Sequence, residues 1–508
     1  MSEVATLPAP QDLLGPPERL HPLYLLTGLG GAFRGAWGLI AGGAVFATQG
    51  RWWIVAIMIA LFAFFSLGSL LVRWLKLEYR VGAHELRIDS GWLNRTSRAI
   101  PFDRVTDVDL EQGPIHRLFG LARVKLETGA SAGAKEEEGI LHTISLERAE
   151  ALREHIRARK GLIMAPAAGA PAVEEAVPIY EMDNRRVLTA GLFNFSLAVL
   201  AGLFGVSQTL GDTLGFDPFE RQFWLDLLAR SGPLRDLVTA HQIFAAVAGT
   251  VTLVMVGIGT GLVRTLLREY GFRLDRTNTG FRRRRGLLTL TDVSIPAKRT
   301  QAAILANGPV RQRFGWWELK LQSLAQDGGK GDHVVAPLVQ EQEAGRILGS
   351  LDWPIAPENG AWRPVSRAYV TCFAAAVALP ALLSLVIPVL GSLGLGIVAA
   401  ASLLGAIAFG WLVVAPVAIA MRWSSWRHTR YALCAGSLFV ETGWWRHRRS
   451  IIPTTKIQSI DLAESWWSRS FGICTLRLGV AGGSGFSDHH VPALSRRQAE
   501  ALRQDLLA

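Results

Sequence analysis

The chain has 508 residues, 50% of them hydrophobic and only 19% charged, with a formal net charge of +11 at pH 7. Its mean hydropathy of +0.25 is high for a water-soluble protein, and its charges lie in blocks between long uncharged runs, as in a multi-pass membrane protein carrying polar domains. That pattern excludes an ordinary soluble globule, and it makes the positive charge a signal of topology and lipid attraction rather than of nucleic-acid binding.

Residues 1–23 read as an N-terminal tail. They lack the basic start and early apolar run of a signal peptide. A first pair of membrane spans is expected over 24–75. Its first member, 25–48, contains Arg34 near its start, where a guanidinium can snorkel to the interface; a re-entrant or interfacial helix is the alternative there. Its second, 52–72, carries no charge. A polar block over 76–160 follows, then an Ala- and Pro-rich linker, 161–184. The second pair, 185–265, contains uncharged runs over 187–211 and 237–263 and an acidic connection between them. After a second polar block, 266–351, and a linker, 352–367, the third pair occupies 368–422. Residues 368–421 hold no Asp, Glu, Lys or Arg. One helix of that length, at about 1.5 Å per residue, would far exceed a hydrocarbon core of about 30 Å. Gly391-Ser392-Leu393-Gly394 supplies the turn between two spans, and the third polar block is 423–508.

The even-numbered spans lead into Arg73, Lys76 and Arg80, into Arg264 and Arg268, and into Arg422, Arg427 and Arg430. The positive-inside rule then places both termini and all three polar blocks in the cytoplasm.

The polar blocks repeat one another. Gly91, Gly286 and Gly443 each stand 10 residues before Pro101, Pro296 and Pro453; the glycines of Phe119-Gly120, Phe314-Gly315 and Phe471-Gly472 follow 19 residues later; Leu126, Leu321 and Leu478 follow after 6 more. A basic residue lies three after each Pro (Arg104, Arg299, Lys456), and another precedes each Leu (Lys125, Lys320, Arg477). Tyr79 and Tyr431 precede their Gly by 12 residues, whereas Tyr270 precedes Gly286 by 16, which predicts a longer first hairpin in block two. Alternation at 86–88, 105–110 and 124–126 predicts strands, and the glycines predict hairpin turns. The run from Ser495, with Ala499, Leu502 and Leu506 on one face, predicts a closing helix. Each block is thus an antiparallel β domain of about 80 residues with a C-terminal helix.

The paired spans, the Tyr79–Trp92 and Tyr431–Trp444 segments, Ile-Pro-x-x-Arg/Lys and Phe-Gly-x-x-x-Val/Leu-Lys/Arg-Leu together resemble the bacterial pleckstrin-homology-like (type 2) membrane proteins, the YdbS/YdbT-like family, here with three repeats. The resemblance implies membrane α-helices plus all-β domains: three tandem units, each two transmembrane helices followed by a PH-like antiparallel seven-stranded sandwich or barrel with a C-terminal helix. It implies no catalytic residues, a bacterial inner-membrane location, and a loose association with cell-envelope defence.

Arg282, Arg283, Arg284 and Arg285, then Arg446, Arg448 and Arg449, then Arg95 and Arg98 recur at one place in the three blocks. They suggest a basic rim for anionic lipid headgroups or an acidic partner, worth about 1 kcal/mol per juxtamembrane charge. A merely solvated, positive-inside face is the competing reading. His489-His490 lie adjacent on a strand, so they point apart, and no further ligand completes a metal site. Cys372, Cys434 and Cys474 have no metal-ligand or disulfide spacing, and no cofactor is expected. The function expected is that of a non-enzymatic membrane scaffold, self-associating or joined to a homologous membrane subunit. A transporter or channel is the alternative, weakened by the lack of Asp and Glu in the spans.

Overall fold

The computed structural model describes residues 15–36, 43, 46, 50–92, 95–128, 139–164, 177–195, 241–327, 330–357, 361–392, 398–481 and 489–507. The acidic connection 212–236 and most of the expected span 187–211 lie outside these residues. Contacts divide the chain into two compact units: 1–176 with 181–273 and 282–294, and 177–180 with 274–281 and 295–508.

The first repeat contributes β1 (Glu18–Arg19), α1 (Tyr24–Gly35), α2 (Trp52–Lys76), β2 (Glu78–Val81), β3 (Glu85–Ser90), β4 (Thr96–Pro101), β5 (Val105–Gln112), α3 (Pro114–Leu118), β6 (Leu121–Thr128), β7 (Ile140–Ser145) and α4 (Leu146–Met164). The second contributes β8 (Val177–Glu181), α5 (Asn184–Phe193), α6 (Gln242–Glu269), β9 (Arg273–Arg276), β10 (Gly280–Arg285), β11 (Leu290–Pro296), β12 (Thr300–Asn307), α7 (Pro309–Arg313), β13 (Trp317–Asp327), β14 (Lys330–Val339) and α8 (Glu341–Gly349). The third contributes β15 (Arg363–Pro364), α9 (Ala368–Ser392), α10 (Val398–Arg427), β16 (Arg430–Cys434), β17 (Ser437–Thr442), β18 (His447–Pro453), β19 (Ile457–Ala463), α11 (Trp466–Ser470), β20 (Ile473–Val480), β21 (His490–Ser495) and α12 (Arg496–Leu507). The sheets run β1-β2-β3-β4, β7-β6-β5-β11-β10-β9-β8, β14-β13-β12-β18-β17-β16-β15 and β19-β20-β21.

The segments read as tail and linkers each supply a strand. Glu18 and Arg19 pair with Tyr79 and Glu78, β8 lies beside β9, and Arg363 and Pro364 pair with Tyr431 and Arg430. The helical hairpin is therefore an insertion between the first and second strands of each β domain, not a stalk in front of it. An indole fastens the insertion at its root. Trp74, at the end of α2, donates to the Leu20 carbonyl at 3.0 Å, and Trp426, at the end of α10, donates to the Val365 carbonyl at 3.0 Å. Both acceptors directly follow the first strand of their domain.

The first core gathers Leu20, Tyr79, Leu86, Ile100, Val105, Val124 and Leu141 beneath Ala149, Leu152 and Ile156 of α4. The last gathers Tyr431, Leu438, Ile452, Leu476, Leu478 and Val491 beneath Ala499 and Leu502 of α12. Leu274, buried on β9, occupies the place of Tyr79 and Tyr431, 12 residues before Gly286. The longer hairpin expected from Tyr270 is thus not formed. Tyr270 caps α6 instead, and its carbonyl accepts from the Gly286 amide at 2.9 Å.

The Phe-Gly phrase ends a one-turn helix. Phe119, Phe314 and Phe471 are the C-caps of α3, α7 and α11, and Gly120, Gly315 and Gly472 follow with φ of +63°, +67° and +66°. That left-handed conformation favours glycine. Pro101, Pro296 and Pro453 end β4, β11 and β18.

Among the described residues, two helices are long and apolar enough to cross a membrane, Trp52–Lys76 and Val247–Glu269; Ala368–Pro380 is a shorter apolar stretch of α9. None of the best apolar window of Trp52–Lys76 is buried by protein, and Phe64 and Phe65 are 72% and 68% exposed. A soluble core helix would be covered, so this one needs lipid as its solvent.

A Cβ placed at Gly315 meets no atom within 4 Å, whereas one at Gly286, with φ of +119°, falls 1.8 Å from the Thr289 carbonyl oxygen. Gly315→Ala is therefore expected to cost only the left-handed penalty, about 1–2 kcal/mol, and Gly286→Ala more. Thermal unfolding of the two purified variants checks the order.

Candidate functional site

On a strand, successive side chains point to opposite faces, and this splits the basic tetrad. On β10, Arg283 and Arg285 are buried, Arg282 is half-buried and Arg284 is exposed. Arg285 donates to both carboxylate oxygens of Glu269, at 2.9 and 3.0 Å. On and before β18, Arg446 is exposed, Arg448 half-buried and Arg449 buried. At the first hairpin Arg95 is exposed and Arg98 half-buried. Of the nine candidate arginines, Arg95, Arg284 and Arg446 are thus the exposed ones, and a single rim of nine is not formed.

Arg282 and Arg449 belong instead to two joints between consecutive β domains. At the first, β5 pairs antiparallel with β11, setting Leu110 opposite Asp292, Glu111 opposite Thr291 and Gln112 opposite Leu290. At the second, β12 pairs with β18, setting Leu305 opposite Arg449, Ala306 opposite Arg448 and Ile304 opposite Ser450. Counted from the repeat prolines, the register is the same: the residue nine after the Pro of one domain faces the residue four before the Pro of the next.

Each joint carries a buried charge cluster at the position four before that Pro. Asp292 accepts from Arg153 of α4 at 3.0 Å and from Arg282 of β10. Burial alone would raise the Asp292 carboxyl, but the bonds from Arg282 and Arg153 overcome it and hold the group well below the usual carboxylate range. At the other joint the signs are reversed. Arg449 donates to Glu441 of β17 at 2.7 Å and to Glu341 of α8 at 2.6 Å. Burial pushes the Glu441 carboxyl up, and Arg430 and Arg449 more than offset this. A closing helix of one domain therefore reaches the first sheet of the next at both joints.

A third lock lies in the same unit as Arg449. His489 Nε2 donates to Gln322 Oε1 at 2.6 Å, and Gln322 Nε2 donates to the Ala481 carbonyl at 3.3 Å. Burial, with the Arg448 guanidinium nearby, depresses the His489 pKa to about 3. The sequence singled out His489 only as a weak metal candidate. The joints themselves went unread, although β12 (TQAAILAN), apolar on both faces at its centre, carried the signal of a strand covered on both sides.

A cleft of about 270 Å³ lies where α9 and α10 meet the last β domain, lined by Tyr369, Cys372, Phe373, Arg422, Trp467 and Cys474 among others. The Arg422 guanidinium stacks 3.6 Å above the Tyr369 ring, and Trp467 donates to the Cys372 carbonyl at 3.1 Å. Burial raises the Cys474 thiol pKa. The cleft combines one cation with an aromatic wall beside the expected membrane surface.

Asp292→Ala leaves two arginines around an emptied site, and a loss of about 3–5 kcal/mol is expected in denaturant unfolding. His489 gives a pH signature. An unfolded histidine binds a proton below about 6.5, whereas the folded one resists until about 3. Stability therefore falls as the pH drops through that window. His489→Gln keeps a donor to Gln322 and is expected to remove that part of the fall in melting temperature between pH 7.5 and 5.

A family model for the bacterial PH domain matches residues 24–160, 233–352 and 374–508. Each match begins after the first strand of its repeat. The UPF0699 transmembrane protein YdbT of Bacillus subtilis (strain 168) is 22% identical over 316 residues, covering 58% of this chain and 59% of that protein. The UPF0699 transmembrane protein YdbS of the same organism is 34% identical over 79 residues, covering 16% of this chain and 46% of that one. The chain thus spans less than two thirds of either curated relative. No solved structure matches it. The triple match, the relatives' transmembrane naming and the lipid-facing helix Trp52–Lys76 lead to one conclusion: this is a membrane protein that belongs to the bacterial PH domain family, with three copies of the domain.

Proposed function

We propose that the chain is a non-enzymatic membrane scaffold. Three helical hairpins, one inserted in each repeat, hold three PH-like domains at the cytoplasmic face of the inner membrane. Arg95, Arg284 and Arg446 present positive charge there to anionic headgroups, and the cleft at Arg422 offers a second, aromatic-walled place for a headgroup phosphate. The observation that carries the scaffold reading is the shared strand register of the two joints, each locked by a buried charge cluster. Such joints spend sheet edge and buried charge on fixing one domain against the next, which suits a platform. The basic residues following α2, α6 and α10 support the cytoplasmic side. A role in envelope defence comes from the family resemblance alone and has no residue behind it.

The purified chain in nanodiscs is expected to enrich anionic over zwitterionic lipid, less so at high salt. Charge reversal at Arg95, Arg284 and Arg446 together is expected to remove most of that enrichment without lowering the melting temperature. Unchanged enrichment sinks the lipid reading, and specific solute flux in proteoliposomes sinks the scaffold in favour of transport.

A further inference from the structure

Each joint joins a donor strand, the first after the repeat Pro, to an acceptor strand, the one ending at the next Pro. Three repeats supply three of each, and two joints use two of each. The remaining acceptor is β4, the remaining donor β19. Among the described residues, each lies at the end of its sheet and pairs on one side only, β4 with β3 and β19 with β20.

Their exposure differs from that of their used counterparts. β12 is buried along nearly its whole length, while β19 has no buried residue. Ala99 of β4 is exposed, whereas its counterpart on β18, Ile451, is fully buried. An unpaired edge presents free backbone donors and acceptors to another strand.

The chemistry of a joint is nevertheless retained on the unused donor side. Asp109 of β5 is buried and accepts from the Ser294 amide of β11 at 3.3 Å; its counterpart eight residues after Pro453 is Asp461, which is exposed. Arg153 of α4 is buried on Asp292; its counterpart, one residue after the buried Leu of the closing helix, is Arg503, also exposed.

The register used at both joints can be carried to these two edges. It sets Leu462 opposite Ser97, Ala463 opposite Thr96, Asp461 opposite Arg98 and Glu464 opposite Arg95. Two opposite-charge pairs fall directly across from one another, an arrangement that stabilises cross-strand pairing. Glu464 already lies 3.4 Å from Arg469 and Asp461 already faces Arg477 of β20, so the shared strand register carries the argument and the charge pairs add to it.

We propose that β19 of one copy pairs antiparallel with β4 of a second copy of this chain, in the register of the internal joints, giving a head-to-tail assembly in the membrane. The interface is heterologous, so copies add in one direction until a ring closes or a row ends. This does not rest on the lipid reading, and either can fail alone.

The test uses two differently tagged full-length copies in one membrane, one carrying Thr96→Cys and the other Ala463→Cys. Directly opposed antiparallel residues lie about 4.5–5.5 Å apart at Cα, within disulfide range. Mild oxidation is expected to link the two tags. Gln458→Cys in place of Ala463→Cys, out of register, is expected to give no link. Asp461→Arg is expected to abolish most of the linked product, and Arg98→Asp in the Thr96→Cys copy to restore it. A two-tag product no greater than that of the out-of-register control overturns the proposal, whatever the oligomeric state. Capture of a different protein by Ala463→Cys instead also overturns it, since the edge would then belong to that partner.

Discussion

The structure depends on one constraint, that a strand edge cannot be left bare where it meets a neighbouring domain. A small β-sandwich ends in unpaired amides and carbonyls. Here the donor strand of one domain satisfies the acceptor strand of the next, β5 on β11 and β12 on β18. Once backbone pairing fixes the register, the side chains that flank it are fixed too. The residue four before the repeat Pro is brought under the closing helix of the preceding domain. In one joint that residue is an acid between two arginines, in the other an arginine between two acids. The inversion indicates that the place, rather than the sign, is what the repeat preserves. Any buried charge there must be neutralised by its neighbours, because leaving it alone would cost several kcal/mol.

The same economy governs how the helix pairs are attached to the sheets. Because each helical hairpin is inserted after the first strand, both of its ends lead into one sheet. Trp74 and Trp426 close the root of the hairpin by bonding to the backbone just beyond that strand. In the middle repeat the corresponding position is Glu269, and its charge is met by Arg285. A helix pair held at both ends to a sheet transmits tilt to that sheet more directly than one on a flexible stalk.

Much of each domain could be read from local sequence. The hairpin glycines, the strand-ending prolines and the Phe-Gly helix caps are short-range devices with strict backbone demands, and spacing alone revealed them. The apolar helix Trp52–Lys76 was equally plain. The first strands were missed because two residues such as Glu18–Arg19 or Arg363–Pro364 have no periodicity to detect. The joints were missed because strand pairing across more than a hundred residues leaves only a faint local trace, the doubly apolar centre of β12. The arginine tetrad does not form one surface, because strand alternation turns Arg283 and Arg285 inward. Tyr270 matches Tyr79 and Tyr431 in residue identity, but Leu274 matches them in spacing and fills the repeat position.

Hydrogen exchange at the joint strands tests the central claim most directly. If β12 and β18 pair as described, their amides in the folded protein exchange as slowly as those of β17 and β20, which lie between two strands, and β5 and β11 behave likewise. Fast, edge-like exchange across β12 and β18, while β17 and β20 stay protected, would mean that the domains are independent beads and would contradict the account.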